Sequence, residues 1–135
     1  MSHYSEVQIE LIDEGCLVAA LERLGFKGKV EIYKEAKALY GYQGDVRAQK
    51  GNVIIRRQHV GPAANDLGFE RQADSKYRVW VSEYDQKYNK YDDAWMGRLK
   101  QAYGVEKARI EAKKKGYRVS EHKLDDGRIR LVLRR

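Results

Sequence analysis

The spacing of apolar residues alternates between strand-like and helix-like along this chain, and this alternation most constrains its fold. Residues 5–12 alternate apolar and polar side chains, which is the period of a strand with one buried face. From Leu17 to Leu24, apolar side chains recur at intervals of three and four residues, which predicts a helix with one buried stripe. The helical spacing returns over residues 94–115. The order of these patterns predicts an α+β fold.

Both predicted helices carry start and stop signals. Asp13 precedes the first helix, and Asp92 or Asp93 precedes the second, where a carboxylate accepts hydrogen bonds from free backbone amides. Gly25 and Gly116 follow the last helical residues, and an aromatic residue comes directly after each glycine. Capping therefore explains the two adjacent aspartates better than a catalytic carboxylate pair does.

Short strand patterns occupy most of the remaining chain. They cover residues 30–32, 53–57, 67–71 and 77–82, and a C-terminal β-hairpin over 118–124 and 128–134. The hairpin turns at Asp125-Asp126-Gly127, since Asp-Gly between alternating strands is a strong turn signal. We expect a single sheet of about six to seven strands, antiparallel or mixed, with two helices packed on one face.

Other segments predict no regular element. These are residues 34–52, the loop at 59–66 and the exposed connection at 83–93. A length of 135 residues predicts one domain, residues 1–135. No apolar run is long enough for a membrane span, and the lone Cys16 excludes an internal disulfide. We therefore expect no membrane association and a location in the cytoplasm or an equivalent reducing compartment.

The net charge of +7 is concentrated at one end of the chain. Residues 1–75 have a net charge of −1, and residues 76–95 are neutral. Residues 96–135 hold 13 Lys/Arg against 5 Asp/Glu, a net charge of +8. Such asymmetry favours an acidic partner, most often nucleic acid, although a solvated basic face also aids solubility.

The candidate binding residues lie mostly in this basic end. They are Lys113, Lys114, Lys115, Lys123, Arg128, Arg130 and Arg134, with Tyr88 and Tyr91 before the second helix. Arg128, Arg130 and Arg134 share one face of the last strand. A two-residue turn would place Lys123 opposite Arg130, where a phosphate or carboxylate would relieve the repulsion; a three-residue loop would shift this register. The helix dipole is the alternative explanation for the three adjacent lysines.

The two tyrosines stand among lysines, an arrangement typical of base stacking combined with backbone contacts. Trp95 belongs to the apolar row of the second helix, so core packing is its expected role.

No pattern predicts a catalytic, cofactor or metal site. His3, His59 and His122 are widely separated, whereas a metal site needs several ligands at regular spacing. The loop from Gly41 to Gly44 lacks the Gly-Lys-Ser/Thr ending of a phosphate-binding loop. Cys16 adjoins the buried helix stripe and is expected to be an inert, packed thiol.

Over nearly its whole length the chain resembles a family of unknown function typified by hypothetical chloroplast reading frame thirty-five of algal plastids. The matching segments are Met1-Ser2-His3-Tyr4-Ser5, Gly41-Tyr42-Gln43-Gly44, Asp66-Leu67-Gly68-Phe69, Tyr77-x-Val79, residues 101–108, residues 112–117 and residues 126–132. Residues 56–65 depart from the family pattern, so no family function is carried over to that loop. The resemblance implies an ATPase of the AAA type as a partner, because some relatives lie near such a gene, and it adds the plastid stroma as a location.

Together these patterns predict a non-enzymatic binding module that contacts RNA or DNA through its C-terminal helix and hairpin. The alternative is a protein-interaction adaptor for the ATPase, which would use exposed sheet edges or the tyrosine-rich segment 83–91.

Overall fold

The strands of the chain form two separate antiparallel sheets. The structure, a computed structural model, describes residues 4–8 and 10–135, with only the backbone of residues 5–8. Its elements are β1 (Tyr4–Gln8), α1 (Glu14–Leu21), β2 (Val30–Tyr40), β3 (Val46–Ile55), α2 (Arg57–Val60), β4 (Leu67–Arg71), β5 (Tyr77–Ser82), α3 (Glu83–Tyr88), α4 (Asp93–Lys114), β6 (Arg118–Lys123) and β7 (Ile129–Arg134). A π turn over Glu22–Phe26 continues α1. The predicted alternation over residues 5–12 falls partly outside the described residues, since Ile9 and the side chain of Val7 are not described.

The first sheet has five strands in the order β1-β5-β4-β3-β2, and β6 pairs with β7 in a second sheet. The α+β class and the antiparallel pairing are confirmed, whereas the prediction of one sheet of six to seven strands is wrong. The hairpin follows α4 in the chain, a helix of 22 residues that is about 33 Å long. The two last strands pair with each other and pack against that helix instead of extending the sheet.

Helices α1 and α4 cover one face of the five-stranded sheet. The sheet contributes core residues that lie side by side on neighbouring strands. Val53 pairs with Phe69, and Phe69 pairs with Val79. Leu17 of α1 and Leu99 of α4 lie in the same buried cluster and are fully inaccessible to solvent. Burying a side chain of this size contributes about 1.5–3 kcal/mol. The prediction of two helices on one face is therefore confirmed for α1 and α4.

The predicted helix ends are also confirmed. Asp13 caps α1 by accepting a hydrogen bond from the Cys16 amide at 3.0 Å, and this bond lowers the pKa of Asp13. Asp92 caps α4 through the Trp95 amide at 3.1 Å. Gly25 adopts φ 104°, a left-handed conformation that side chains rarely take, so glycine is required there.

Residues 34–52 are more ordered than predicted, because they complete the long hairpin of β2 and β3. The turn closes where the Gly41 amide donates to the Asp45 carbonyl at 2.8 Å. The carboxylate of Asp45 lies so close to Gly41 that a side chain at position 41 would displace it. An acidic group in this position argues against phosphate binding by the glycine loop.

The prediction of an exposed connection over residues 83–93 is only partly right, because the segment has exposed side chains such as Glu83 and Lys87 but also contains helix α3 and buried residues. Ser82 caps α3 by accepting a hydrogen bond from the Asp85 amide at 3.0 Å. Asp85 and Tyr91 are buried, with 1% and 7% of their surface exposed. The predicted loop at 59–66 likewise overlaps a short helix, α2, and ends in the buried Asn65 and Asp66. Polar side chains stay buried here because neighbouring segments satisfy their hydrogen bonds.

Candidate functional site

The loop between β6 and β7 sets the geometry of the basic hairpin. The Leu124 amide donates to the Arg128 carbonyl at 2.8 Å, and the Gly127 amide donates back to the Leu124 carbonyl at 3.0 Å. Gly127 has φ 88°. This is a three-residue loop that ends in a left-handed glycine, a common hairpin connection.

The three-residue loop decides which cations face each other. Lys123 pairs with Ile129, so the predicted pair of Lys123 and Arg130 is wrong. Instead, Arg118 pairs with Arg134 and His122 pairs with Arg130. Side chains directly opposite each other in an antiparallel pair have Cβ atoms about 4.5–5.5 Å apart. The sequence interpretation did not include Arg118 and His122. Strand pairing based on a three-residue loop would have placed both of them opposite arginines.

The regular register divides the hairpin into two faces. The inner face, toward α4, carries Val119, Glu121, Lys123, Ile129, Leu131 and Leu133. The outer face carries Arg118, Ser120, His122, Arg130, Val132 and Arg134. All residues of the outer face except the half-buried Val132 are exposed.

Polar contacts hold the inner face in place. Glu121 accepts hydrogen bonds from Arg23 at 3.0 Å and from Arg109 at 2.9 Å. The hydrogen bond from Arg23 lowers the pKa of Glu121, with a smaller contribution from Arg109. The Gln101 side chain donates to the Gly127 carbonyl at 2.8 Å. The inner face therefore contacts the rest of the domain, and the outer face lies toward solvent.

The end of α4 lies beside the open end of the hairpin. The Gly116 amide donates to the Lys113 carbonyl and the Tyr117 amide to the Ala112 carbonyl, both at 3.0 Å, which forms a Schellman stop. The guanidinium of Arg135, after β7, stacks on the Tyr117 ring at 4.6 Å. This contact brings the end of β7 next to the helix end that carries the lysines.

We define the basic surface by the exposed cations of the helix end and the outer hairpin face: Lys113, Lys114, Lys115, Arg118, Arg130 and Arg134. Within the described part of the chain, none of them has a carboxylate oxygen within 4 Å. Five of the nine predicted site residues thus belong to this set of exposed cations, and Arg118 joins them.

Lys123 and Arg128 lie elsewhere. Both line a groove of about 790 Å³ between α4, the π turn and the hairpin, together with Arg23 and Arg98. Arg128 pairs with Asp126 of its own loop at 2.6 Å, so part of its charge is already compensated. These two predicted residues therefore belong to the groove and not to the basic surface.

The predicted tyrosines differ in accessibility. Tyr91 is buried against Trp95, with ring centroids 5.0 Å apart, and its hydroxyl donates to the Val60 carbonyl at 2.8 Å. Burial raises the pKa of Tyr91 to about 12. Tyr88 is 60% exposed and packs on Tyr84 at 4.8 Å. Tyr91 is thus a core residue that bases cannot reach, and only Tyr88 is open to stacking.

The titratable groups of the core serve hydrogen bonding within the fold. Asp66 accepts from the Arg56 guanidinium at 2.8 Å and from the Tyr40 and Arg57 amides at 2.8 and 2.7 Å. Cys16 is 1% exposed, and burial raises its pKa above the ordinary thiol value. Among the residues that the structure describes, no group of three or more His, Cys, Asp or Glu side chains is placed to hold a metal ion.

None of the described helices combines the length and the apolar character needed to cross a membrane.

Comparison with known proteins identifies relatives without an assigned activity. The model of a family described as "Protein of unknown function (DUF1257)" matches residues 20–132. The chain is 29% identical to "Uncharacterized protein ycf35" of Cyanophora paradoxa, over all of this chain and 98% of the relative. No solved structure matches the chain. The resemblance stated from the sequence motifs is therefore confirmed.

Proposed function

We propose that this chain, which belongs to the DUF1257 family of unknown function, is a non-enzymatic module that binds nucleic acid through its basic surface. The observation that carries the proposal is the concentration of six exposed cations, without carboxylate partners among the described residues, on the helix end and the outer hairpin face. A row of phosphates is the ligand that such a surface attracts most strongly.

The hairpin register adds a second argument. Arg118 and Arg134 face each other across the two strands, and like charges in that position are destabilising. On the inner face, Glu121 of the hairpin meets Arg23 and Arg109 of the domain, whereas the six residues of the outer face include no carboxylate. An anionic partner would supply the missing counter-charge.

The helix dipole does not account for the whole surface. It favours cations in the last turn of α4, where Lys113 and Lys114 lie. Its effect falls off within one turn, so it gives no reason for arginines at Arg130 and Arg134 on β7. The hairpin cations therefore favour a ligand over an effect internal to the helix.

Charge reversal tests the proposal. The variant K114E/R130E/R134E changes three residues of the basic surface, and the control K34E/K37E/K50E makes the same charge change at exposed positions of β2 and β3. Binding of labelled nucleic acid is measured against salt concentration. Loss of three phosphate contacts should reduce the log–log salt slope by about 2–3. The control should keep the slope of the unmodified chain.

The protein-adaptor alternative predicts another result. Under that alternative, the triple variant binds nucleic acid as the unmodified chain does, and a nuclease-resistant protein partner, such as an AAA-type ATPase, is retained from the native host. That combination would replace our proposal with the adaptor function. A location in the cytoplasm or plastid stroma stays a prediction, which fractionation of the native host would test.

A further inference from the structure

We infer that the nucleic acid is double-stranded B-form DNA and that the outer face of β6 and β7 enters its major groove. This inference rests on the proposed function and narrows it to one class of nucleic acid. It is carried by the arrangement of the outer face, in which basic residues face each other toward both ends of the hairpin and a pair of small side chains lies between them.

The basic side chains of the outer face form one row on each strand, here called a rail, whose charge at pH 7 comes from the arginines. Arg118 and His122 stand on β6, and Arg130 and Arg134 stand on β7. The two strands are about 4.8 Å apart, and the major groove of B-DNA is about 12 Å wide. A ribbon lying along the groove thus has each strand within about 4 Å of one phosphate wall, a distance that an arginine side chain covers. Each rail would contact the backbone of a different DNA strand.

The centre of the outer face is short and free of charge. Ser120 and Val132 pair with each other between the Arg118–Arg134 pair and the His122–Arg130 pair. Their small side chains would let the ribbon approach the base edges closely. A serine hydroxyl can donate or accept a hydrogen bond there, and a valine methyl can contact the methyl group of thymine. The face therefore combines backbone contacts toward its two ends with base contacts in the middle of its length.

Two other nucleic acids fit this face less well. Proteins that bind single strands stack bases on aromatic rings, and the outer face of β6 and β7 carries no Phe, Tyr or Trp. A-form RNA has a deep, narrow major groove that protein side chains cannot read. Arginines on both strands of the ribbon match two flanking phosphate walls, which only a duplex provides.

The test compares three ligands of one sequence: a DNA duplex, one of its strands and the RNA duplex, each measured by fluorescence anisotropy over a salt series. We expect the DNA duplex to bind more tightly than either of the others. The double variant R118A/R134A, with one change on each rail, should lower the salt slope on duplex DNA by about 1.8. On the single strand, which follows one rail, it should lower the slope by about 0.7 at most.

A central substitution tests whether duplex DNA comes close to Ser120. Ser120→Glu places a carboxylate against the base edges and should weaken duplex binding by about tenfold or more. Ser120→Ala keeps the small volume and should bind within about threefold of the unmodified chain, since it adds no repulsion. Ser120 is exposed, so both variants should retain the circular dichroism spectrum and the melting temperature of the unmodified protein.

The outcomes distinguish this inference from the proposed function. If nucleic acid binds but the single strand or the RNA duplex binds as tightly as the DNA duplex, the groove inference is overturned and the proposed function stands. Equal affinities of Ser120→Glu and Ser120→Ala for duplex DNA would also overturn it. If none of the three ligands binds, the proposed function fails as well.

Discussion

Replacing Asp85 with alanine should destabilise the protein far more than a surface position would. The Asp85 carboxylate accepts hydrogen bonds from the Asn65 amide at 3.0 Å, the Ser82 hydroxyl at 2.7 Å and the Asn89 side chain at 2.8 Å. It thereby joins the end of β5 and the start of α3 to the segment that precedes β4. Asp85→Ala removes one acceptor from each of these donors.

The magnitude follows from burial. Asn65 and Ser82 are 1% and 0% exposed, so water does not replace the lost acceptor without local opening. A buried polar group that loses its acceptor costs about 1–3 kcal/mol, which gives about 2–6 kcal/mol for the two donors. Removing a buried carboxylate also removes its desolvation cost, which offsets part of this loss. We therefore expect the free energy of unfolding to fall by about 2–4 kcal/mol.

Urea denaturation followed by tryptophan fluorescence measures this change. Glu83→Ala is the matched control, because Glu83 is an exposed acidic residue in the first turn of the same helix. The control should lose about 0.3–1 kcal/mol, the usual contribution of an acidic side chain near a helix N-terminus. If Asp85→Ala lost no more than Glu83→Ala, the carboxylate would not hold these segments together and the reasoning would be refuted.

Two further substitutions test α4 and the hairpin. Gly104→Ala should raise the free energy of unfolding by about 1 kcal/mol, because alanine favours the helix and an added Cβ meets no atom within 4 Å. Urea denaturation measures this change. A loss of stability would instead indicate close packing at this position. Glu121→Gln should lower the free energy of unfolding by about 0.5–2 kcal/mol at pH 7, because it removes the ion pairs with Arg23 and Arg109. The folded-state pKa of Glu121 is lowered, so this stabilisation is present above its unfolded pKa and is lost as pH falls through the folded value. The difference between the two proteins should therefore vanish in strong acid, and a difference that persisted there would contradict an electrostatic cause.

The sequence alone determined the features that depend on neighbours within one or two turns. Asp13 and Asp92 cap helices, and Gly25 and Gly116 end them, because these signals act on backbone groups three to five residues away. The antiparallel C-terminal hairpin and the charge asymmetry could also be predicted from the sequence alone. So could the α+β class, because apolar periodicity reports which face of each element is buried.

Only the tertiary structure decided how these elements meet. The hairpin loop has three residues instead of two, and this difference of one residue changes which side chains face each other. Arg118, and not Lys123, therefore lies on the outer face opposite an arginine. Tyr91 looked accessible beside two lysines, but Trp95 and the carbonyl of Val60, 31 residues away, bury it. Sheet membership and burial depend on partners that are distant in sequence, and local patterns carry no information about those partners.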